Sequence, residues 1–236
     1  MNIQLSTEKD VEDYCSSRVL TGPFKGLYIT PTQHWWGGDI EAKWLGSYEQ
    51  PIHHALELEL NKEHDLFINI GCGDGYYGAG VGSRNPACLL ELIDIAQHCE
   101  ALVGKVCSDN NVTGFNFSTN STSIRLQVLL EKAKTPWMLV DIEGAEIDLL
   151  SLEQIPAIRN CVLLVEMHDF NIPLATEIMT ARFEASHDIV NIQDSLTREL
   201  PTGIHLEKDL QQKVITERRP TKMNWLYMLP KKSLSL

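Results

Sequence analysis

The sequence is short of basic residues, with 20 Lys and Arg against 32 Asp and Glu and a formal net charge of −12. Proteins that bind nucleic acid do so mainly through basic surface, which displaces the counterions of the phosphate backbone. The few basic clusters, such as ERRP at 217–220, are short. The charge balance therefore argues against a nucleic-acid partner, although a local basic patch stays open.

Long apolar runs are also missing. No stretch approaches the roughly 18 apolar residues that indicate a membrane-spanning helix. The amino terminus, MNIQLSTEKDVEDY, lacks the basic and then apolar segments of a secretory signal. The sequence therefore predicts a cytoplasmic protein with no membrane partner.

The cysteines form no CxxC pair, so the sequence indicates neither a zinc site nor a disulfide framework. Cys161 lies in an apolar run, and Cys72 lies in a glycine-rich segment. In an intracellular protein such cysteines are reduced thiols. We therefore expect all six to be free: Cys15, Cys72, Cys88, Cys99, Cys107 and Cys161.

From residue 65 onward, short apolar runs alternate with helical segments, which is the pattern of βαβ units. A parallel sheet built in this way carries helices on both faces. We therefore predict an α/β fold with a doubly wound, mostly parallel seven-stranded sheet, whose last two strands pair as an antiparallel edge. The predicted strands are 65–70, 88–93, 112–117, 137–141, 161–168, 187–192 and 224–229, and the predicted helices between them are 76–85, 95–109, 121–133 and 144–153.

The first 60 residues or so lack this alternation. We expect residues 1–62 to form an α/β extension that covers the acceptor pocket, and residues 63–236 to form one compact domain. Within the extension we predict a helix at 6–17, a strand at 27–30, and a helix at 48–61 opened by a capping box of Ser47 and Gln50.

Residues 68–80, INIGCGDGYYGAG, place several glycines between a predicted strand and a predicted helix. Ligands of a doubly wound sheet bind beyond the carboxyl ends of the strands, so this loop is the predicted cofactor site. Gly73, Gly75 and Gly78 match the GxGxxG pattern of dinucleotide-binding proteins. Gly71, Gly73 and Gly75 match the GxGxG loop of S-adenosylmethionine (SAM) methyltransferases. Either pattern alone is weak, because glycines cluster in turns.

The residues around these glycines favour the methyl donor. A pyrophosphate is bound by N–H groups at a helix amino terminus and is repelled by a nearby carboxylate such as Asp74. A cofactor with a sulfonium and an ammonium group attracts that carboxylate, and Tyr76 and Tyr77 would crowd a pyrophosphate. We therefore predict SAM as the cofactor. The alternative is an NAD(P)-linked oxidoreductase, which would require a hydride-site motif such as Tyr-x-x-x-Lys.

Asp94 follows the next apolar run, about 20 residues beyond the glycines. A carboxylate at this position accepts hydrogen bonds from both hydroxyls of a ribose. Nicotinamide enzymes also use an acid here, so Asp94 supports an adenosine cofactor without separating the two alternatives. Its other interpretation is the N-cap of the following helix.

Acidic residues follow two later strands. Carboxylates at a strand end are unfavourable for folding unless they face solvent or a ligand. We therefore expect a reaction site where these strands end, although Glu146 also suits the dipole of the next helix. The residues are Asp141, Glu143 and Glu146 after one strand, and Glu166, His168 and Asp169 at the end of the next.

DIEGAEIDLL at 141–150 resembles the DxEGxExxxL signature of FkbM-type SAM-dependent methyltransferases, and VEMHD at 165–169 is similar to the strand that follows it there. LGSYEQP at 45–51 resembles their GTYEP segment, and NIGCGDGYYGAG at 69–80 is similar to the first motif of bacterial relatives. The blocks occur in the family's order. The resemblance implies the Rossmann-like class I methyltransferase fold. It also implies O-methylation of a hydroxyl on a sugar, a glycan or a small secondary metabolite.

Asn69 departs from the pattern, because most class I methyltransferases carry an acid at this strand end. An amide oxygen can still bind the cofactor's ammonium group, and Asp74 is a candidate to replace the missing charge. A catalytically silent homologue that binds SAM stays a further alternative. The predicted cofactor-binding residues are Asn69, Gly71, Cys72, Gly73, Asp74, Gly75, Asp94 and Asp141.

Methyl transfer to a neutral hydroxyl requires removal of a proton. His168 is the first candidate for the general base, because histidine titrates near neutral pH. Asp141, Asp169 and Glu143 are the other predicted catalytic residues. These four could instead hold a divalent metal that chelates a diol, but no ligand-spacing motif supports this and we predict no metal.

The extension supplies the predicted contacts to a small-molecule or glycan acceptor. An aromatic pair can stack on a sugar or a flat ring, but it can equally form local packing or a dimer contact, so a homodimer stays open. Of two adjacent histidines on a helix, only one can face the pocket. The predicted residues are Trp35, Trp36, Glu49, His53 and His54.

Overall fold

A computed structural model describes residues 2–31, 40–195, 197–217 and 221–231. Its strands are β1 (Ile3–Leu5), β2 (Leu66–Ile70), β3 (Leu89–Ile93), β4 (Phe115–Ser118), β5 (Pro136–Val140), β6 (Val162–Met167), β7 (His187–Gln193), β8 (Ile204–Leu206) and β9 (Asn224–Pro230). Its α-helices are α1 (Glu8–Cys15), α2 (Ile40–Leu45), α3 (His53–Leu60), α4 (Tyr76–Arg84), α5 (Cys99–Asp109), α6 (Ser123–Lys132), α7 (Glu146–Leu149), α8 (Ala175–Phe183) and α9 (Lys208–Thr216).

The main sheet has seven strands in the order β4-β3-β2-β5-β6-β9-β7. Strands β2 to β6 are parallel to one another, and β9 runs antiparallel to both of its neighbours, β6 and β7. This confirms the predicted doubly wound α/β fold. The last two strands pair antiparallel at one edge of the sheet, as predicted, and β7 is the outer of the two. β9 lies inside the sheet, because its central residues 225–228 are all buried, whereas the edge strand β7 is mostly exposed.

Alternate residues of the central strands enter two hydrophobic cores, one on each face of the sheet. In β2, Leu66, Ile68 and Ile70 belong to the core that α6 and α8 cover. Phe67 belongs to the other core, which takes in α4, α5 and the amino-terminal helices. Residues before β2 therefore pack against the sheet itself. Their role as a cover of the acceptor pocket stays a prediction.

The amino-terminal region differs from its prediction in two places. Tyr28 forms only an isolated bridge with Arg18, so no strand forms at 27–30. The hydroxyl of Ser47 bonds the carbonyl of Ala42, so the predicted capping box is absent. Instead, a 3₁₀ turn at Gln50–Ile52 precedes α3, with a proline in its first positions, where a missing N–H costs nothing. The predicted first helix is confirmed as α1, which begins with a capping box of Thr7 and Asp10.

The sequence did not predict β1 and β8. These two strands pair in parallel as a separate two-stranded sheet and join the amino terminus to the segment between β7 and β9. The helix predicted at 144–153 is only the short α7. Arg182 donates hydrogen bonds to the carbonyls of Ile147 and Leu150 at the end of α7, where no following helical turn supplies an N–H.

The helices of the described residues are all too short or too polar to cross a bilayer. All six cysteines are free and buried, as predicted.

Candidate functional site

The glycine loop bends between β2 and α4 through left-handed backbone angles that suit glycine. Gly71, Gly73 and Gly75 have φ values of 80°, 50° and 83°. A Cβ on Gly71 would lie 1.6 Å from the carbonyl oxygen of Asp141, the residue that follows β5. The loop therefore passes directly against the end of β5, and only glycine fits at position 71.

Asp94 ties this loop to the end of β3. One carboxylate oxygen accepts the N–H of Gly73, and the other accepts the N–H of Ala96, both at 2.9 Å. The second bond closes a turn over Asp94 and Ala96. The alternative role of Asp94 as the N-cap of the following helix is wrong, because α5 begins at Cys99 with His98 as its N-cap. The thiol of Cys99 is a further hydrogen-bond neighbour of this carboxylate, whose two oxygens have four lone-pair positions in all. Ile95, which sequence reasoning missed, follows Asp94 and is 92% exposed.

Asp74 is paired, which the sequence did not indicate. Its carboxylate accepts a hydrogen bond of 2.7 Å from the ammonium group of Lys43 in α2, and both side chains are buried. Its other oxygen accepts the N–H of Tyr76. Asp74 therefore repels a pyrophosphate less than the sequence alone predicts, because Lys43 balances its charge. The same pairing leaves Asp74 less available to a cofactor's ammonium group.

Asn69 is fully buried at the end of β2, two residues before the loop. Its amide nitrogen lies 3.5 Å from the carbonyl of Leu139, and its side-chain oxygen has no hydrogen-bond partner among the described residues. An unsatisfied buried oxygen next to the loop is a position for a ligand's donor. Cys72 is buried beside it, and burial raises the pKa of its thiol, so it contributes backbone rather than a thiolate.

The ends of β5 and β6 bring four of the predicted groups together. The Nε2 atom of His168 lies 3.5 Å from Asp141 Oδ1, 3.5 Å from Glu143 Oε2 and 3.6 Å from Glu166 Oε2. His168 is fully buried, whereas the side chain of Glu143 is 73% exposed. We call Asp141, Glu143, Glu166 and His168 the acidic cluster. Asp141, Glu143 and His168 have ligand atoms close enough to share a metal ion.

Glu146 supports the imidazole of His168 from the opposite side. Its Oε1 accepts the N–H groups of Ile142 and Gly144 and lies 2.9 Å from His168 Nδ1, outside an aligned hydrogen bond. Burial raises the pKa of Glu146, but His168 and the backbone N–H groups lower it further, so the net shift is downward. Burial lowers the pKa of His168, while the neighbouring carboxylates raise it, and the net shift is upward.

Glu49 reaches the acidic cluster from the amino-terminal region, and its role at the acceptor stays a prediction. A carboxylate oxygen of Glu49 lies within 4.8 Å of ligand atoms of Asp141 and Glu166. Tyr77 donates a hydrogen bond to Glu49. The N–H of Glu49 donates to Glu217 at 2.9 Å.

Other residues that the sequence predicted for the active site lie apart from the acidic cluster. Asp169 accepts hydrogen bonds from the N–H and hydroxyl of Thr176, so its carboxylate is engaged in the turn before α8. His53 bonds the carbonyl of Tyr48 at 2.8 Å, and His54 is exposed. Trp35 and Trp36 lie outside the described residues.

A Tyr-x-x-x-Lys spacing occurs once, at Tyr227 and Lys231. The Tyr227 hydroxyl donates to Glu59, and the Lys231 ammonium group donates to the carbonyl of Glu184. Both residues are thus engaged away from the glycine loop, in contacts made by β9 and the residue after it. This spacing does not supply the hydride site that an oxidoreductase would need.

No model of a known protein family matches the sequence, and no curated protein matches it. The structure is similar to that of a ribosomal protein L11 methylase from Lactobacillus delbrueckii subsp. bulgaricus, at 14% identity, with a TM-score of 0.50 and 78% of each chain covered. It is also similar to the O-methyltransferase TomG from Streptomyces achromogenes, involved in tomaymycin synthesis and solved with SAM. That match has 12% identity and a TM-score of 0.50, and covers 78% of this chain and 81% of TomG. At such identities the likeness shows the fold, and the chain has the Rossmann-like α/β fold of these methyltransferases.

Proposed function

We propose that this protein is a SAM-dependent methyltransferase of the FkbM type that methylates a hydroxyl of a sugar, a glycan or a small metabolite. The observation that carries the proposal is the contact between the glycine loop and the acidic cluster. Gly71 lies against the carbonyl of Asp141 with no room for a side chain. A cofactor along the loop would therefore hold its methyl group beside the carboxylates, as in-line transfer requires.

Three side chains around the loop suit SAM. Asp94 can accept both ribose hydroxyls, and the exposed Ile95 next to it offers an apolar surface to a purine ring. The buried oxygen of Asn69, without a partner among the described residues, can accept a hydrogen bond from an ammonium group. The structural likeness to an O-methyltransferase solved with SAM supports the same cofactor.

The acidic cluster suits an acceptor hydroxyl. The side chains of Asp141 and Glu143 are 29% and 73% exposed, so a hydroxyl reaches them before it reaches the buried His168. As the acceptor oxygen bonds to the methyl carbon, the bond from carbon to sulfur breaks and a carboxylate takes the hydroxyl proton. We therefore assign the base role to Asp141 or Glu143 and not to the buried His168.

The convergence of separate segments supports the FkbM type. Glu49 comes from the segment that resembles GTYEP, Asp141 and Glu143 come from the DxEGxE-like segment, and His168 comes from the following strand. These segments are far apart in the sequence but supply one group of neighbouring side chains. A shared site gives a physical reason for the order and spacing of the motifs.

Ligand-induced stabilisation tests the cofactor. We expect S-adenosylhomocysteine and SAM, at about a hundredfold excess over their dissociation constants, to raise the melting temperature by about 5–10 °C. NADH should leave it unchanged. Stabilisation by NADH alone would favour the oxidoreductase, and no response to any of the three would contradict a nucleoside cofactor.

A matched pair of variants connects the response to the loop. Asp94→Asn should weaken S-adenosylhomocysteine binding about tenfold or more, because it removes the charge that accepts the ribose hydroxyls. Asp188→Asn makes the same change at a residue of β7 whose side chain is 74% exposed, and should leave binding unchanged. Equal affinities of the two variants in isothermal titration would contradict the assignment of Asp94.

A further inference from the structure

We propose that Asp141, Glu143 and His168 form a binding site for one divalent transition-metal cation, with Glu166 next to it. This site revises the prediction of no metal that the sequence alone supported. It does not depend on methyl transfer, because metal binding can be measured without cofactor or acceptor.

The first observation is the orientation of His168. The residue is fully buried, and its Nε2 atom has no hydrogen-bond partner in the part of the chain that the structure describes. A buried polar atom without a partner costs free energy that a bound ligand recovers. Nε2 nevertheless faces carboxylate oxygens of Asp141, Glu143 and Glu166. The imidazole is thus directed into the acidic cluster without being bonded to it.

The second observation is the spacing. Nε2 lies 3.5 Å, 3.5 Å and 3.6 Å from the three nearest carboxylate oxygens. Hydrogen bonds between such atoms are shorter, about 2.7–3.2 Å. Ligand atoms that share a cation at bond lengths of about 2.0–2.2 Å lie about 3.0–3.5 Å from one another. The distances are therefore too long for hydrogen bonding and close to those of a common metal ion.

The third observation is the support behind the imidazole. Metal-binding histidines usually have a carboxylate or a carbonyl at their second ring nitrogen, which fixes the ring. Glu146 Oε1 lies 2.9 Å from Nδ1 and is itself held by the N–H groups of Ile142 and Gly144. One imidazole with carboxylate oxygens is a ligand set for Mn²⁺ or Zn²⁺. Cu⁺ prefers sulfur ligands, and Ca²⁺ and Mg²⁺ prefer oxygen ligands alone.

The site is open on one side, since the side chains of Asp141 and Glu143 are partly and mostly exposed. A bound cation would therefore keep coordination positions toward solvent. An oxygen of the acceptor could occupy one of them, and this use of the metal rests on the proposed function.

Metal binding is tested on protein treated with a chelator and then dialysed. Wild type is titrated with MnCl₂ while free Mn²⁺ is followed by electron paramagnetic resonance, and Zn²⁺ is titrated by calorimetry. We expect saturable binding of one cation per chain. Glu143→Gln and Asp141→Asn should each weaken binding by about tenfold or more.

Asp148→Asn is the matched control, because Asp148 is an exposed carboxylate on α7, outside the acidic cluster. It should bind Mn²⁺ as wild type does. His168→Gln is included with circular dichroism as a check of folding. Because the side chain of Glu143 is mostly exposed, the Glu143→Gln result stands even where the His168 variant does not fold.

The proposal is overturned if neither Mn²⁺ nor Zn²⁺ shows saturable binding. It is also overturned if Glu143→Gln and Asp148→Asn bind Mn²⁺ with equal affinity, which would indicate diffuse attraction to an acidic surface. S-adenosylhomocysteine binding is measured on the same samples. Cofactor binding without metal binding would contradict only the metal site. Metal binding without cofactor binding would contradict only the proposed function.

Discussion

Glu49 and Glu143 both hold left-handed backbone conformations, with φ values of 47° and 57°. Such angles cost a residue with a side chain about 1–3 kcal/mol when the surrounding structure imposes them. Glycine adopts such angles without that cost, as Gly144 does with φ of 108° at the position after Glu143. Both glutamates bring a carboxylate to the same group of side chains. Backbone strain at these two positions therefore coincides with the place where we propose chemistry.

Gly71 makes the sharpest prediction at the scale of one residue. Gly71→Ala would combine a left-handed φ of 80° with a Cβ 1.6 Å from the carbonyl oxygen of Asp141. Backbone must move to relieve this contact, so we expect a loss of about 2 kcal/mol or more in unfolding free energy. Urea unfolding followed by circular dichroism measures it.

Gly104→Ala is the control for that substitution. Gly104 lies inside α5, and a Cβ there would meet no atom of the described residues within 4 Å. Alanine is the better helix former, so this variant should gain about 0.5–1 kcal/mol. A Gly71→Ala variant as stable as wild type would contradict the close approach of the loop to β5.

At the scale of elements, the ion pair of Lys43 and Asp74 joins α2 to the loop before α4. Both side chains are buried, and the ammonium group also lies over the rings of Tyr48 and Tyr76, at 4.8 and 5.4 Å. Lys43→Met would leave a carboxylate buried without this partner. Breaking such a pair costs about 3–5 kcal/mol. We expect a loss of that size in denaturant unfolding.

The double variant Lys43→Met with Asp74→Asn tests whether the loss comes from the pair. Removing both charges also removes the unpaired carboxylate, so the double variant should be more stable than Lys43→Met alone. Additive losses would mean that Lys43 stabilises α2 by packing and not through Asp74.

The elements also mark the limit of sequence reasoning. The seven strands of the main sheet were predictable because each is a local apolar run. β1 and β8 have three residues each and pair across about two hundred positions of sequence, so neither carries a local signal. At the site, Lys43 and Glu49 likewise have no local sequence signal that indicates their partners. The sequence identified Asp74 and Asp141 through their motifs, but their partners come from residues that only the fold brings near.

At the scale of the molecule, β9 contributes side chains to both hydrophobic cores, one on each face of the main sheet. It is the last strand in the sequence but lies between β6 and β7. Trp225 and Tyr227 enter one core, and Leu226 and Met228 enter the other. Removing β9 therefore takes four large side chains out of the two cores, leaves β7 without its strand partner and leaves β6 paired with β5 alone. At about 1.5–3 kcal/mol for each side chain, the loss is about 6–12 kcal/mol, comparable to the whole stability of a domain.

A chain that ends at residue 222 should consequently fail to fold, with no cooperative thermal transition by circular dichroism. Deletion of residues 2–6 is the comparison, because it removes β1, where Leu5 is buried and Ile3 only partly so. That chain should still melt cooperatively, with an unfolding free energy lower by about 1.5–3 kcal/mol. Because β9 belongs to both cores and β1 to a peripheral pair of strands, the first truncation should abolish folding and the second should only lower stability. A cooperative transition in the chain without β9 would mean that β2 to β7 form a stable unit by themselves, contrary to the position of β9 inside the sheet.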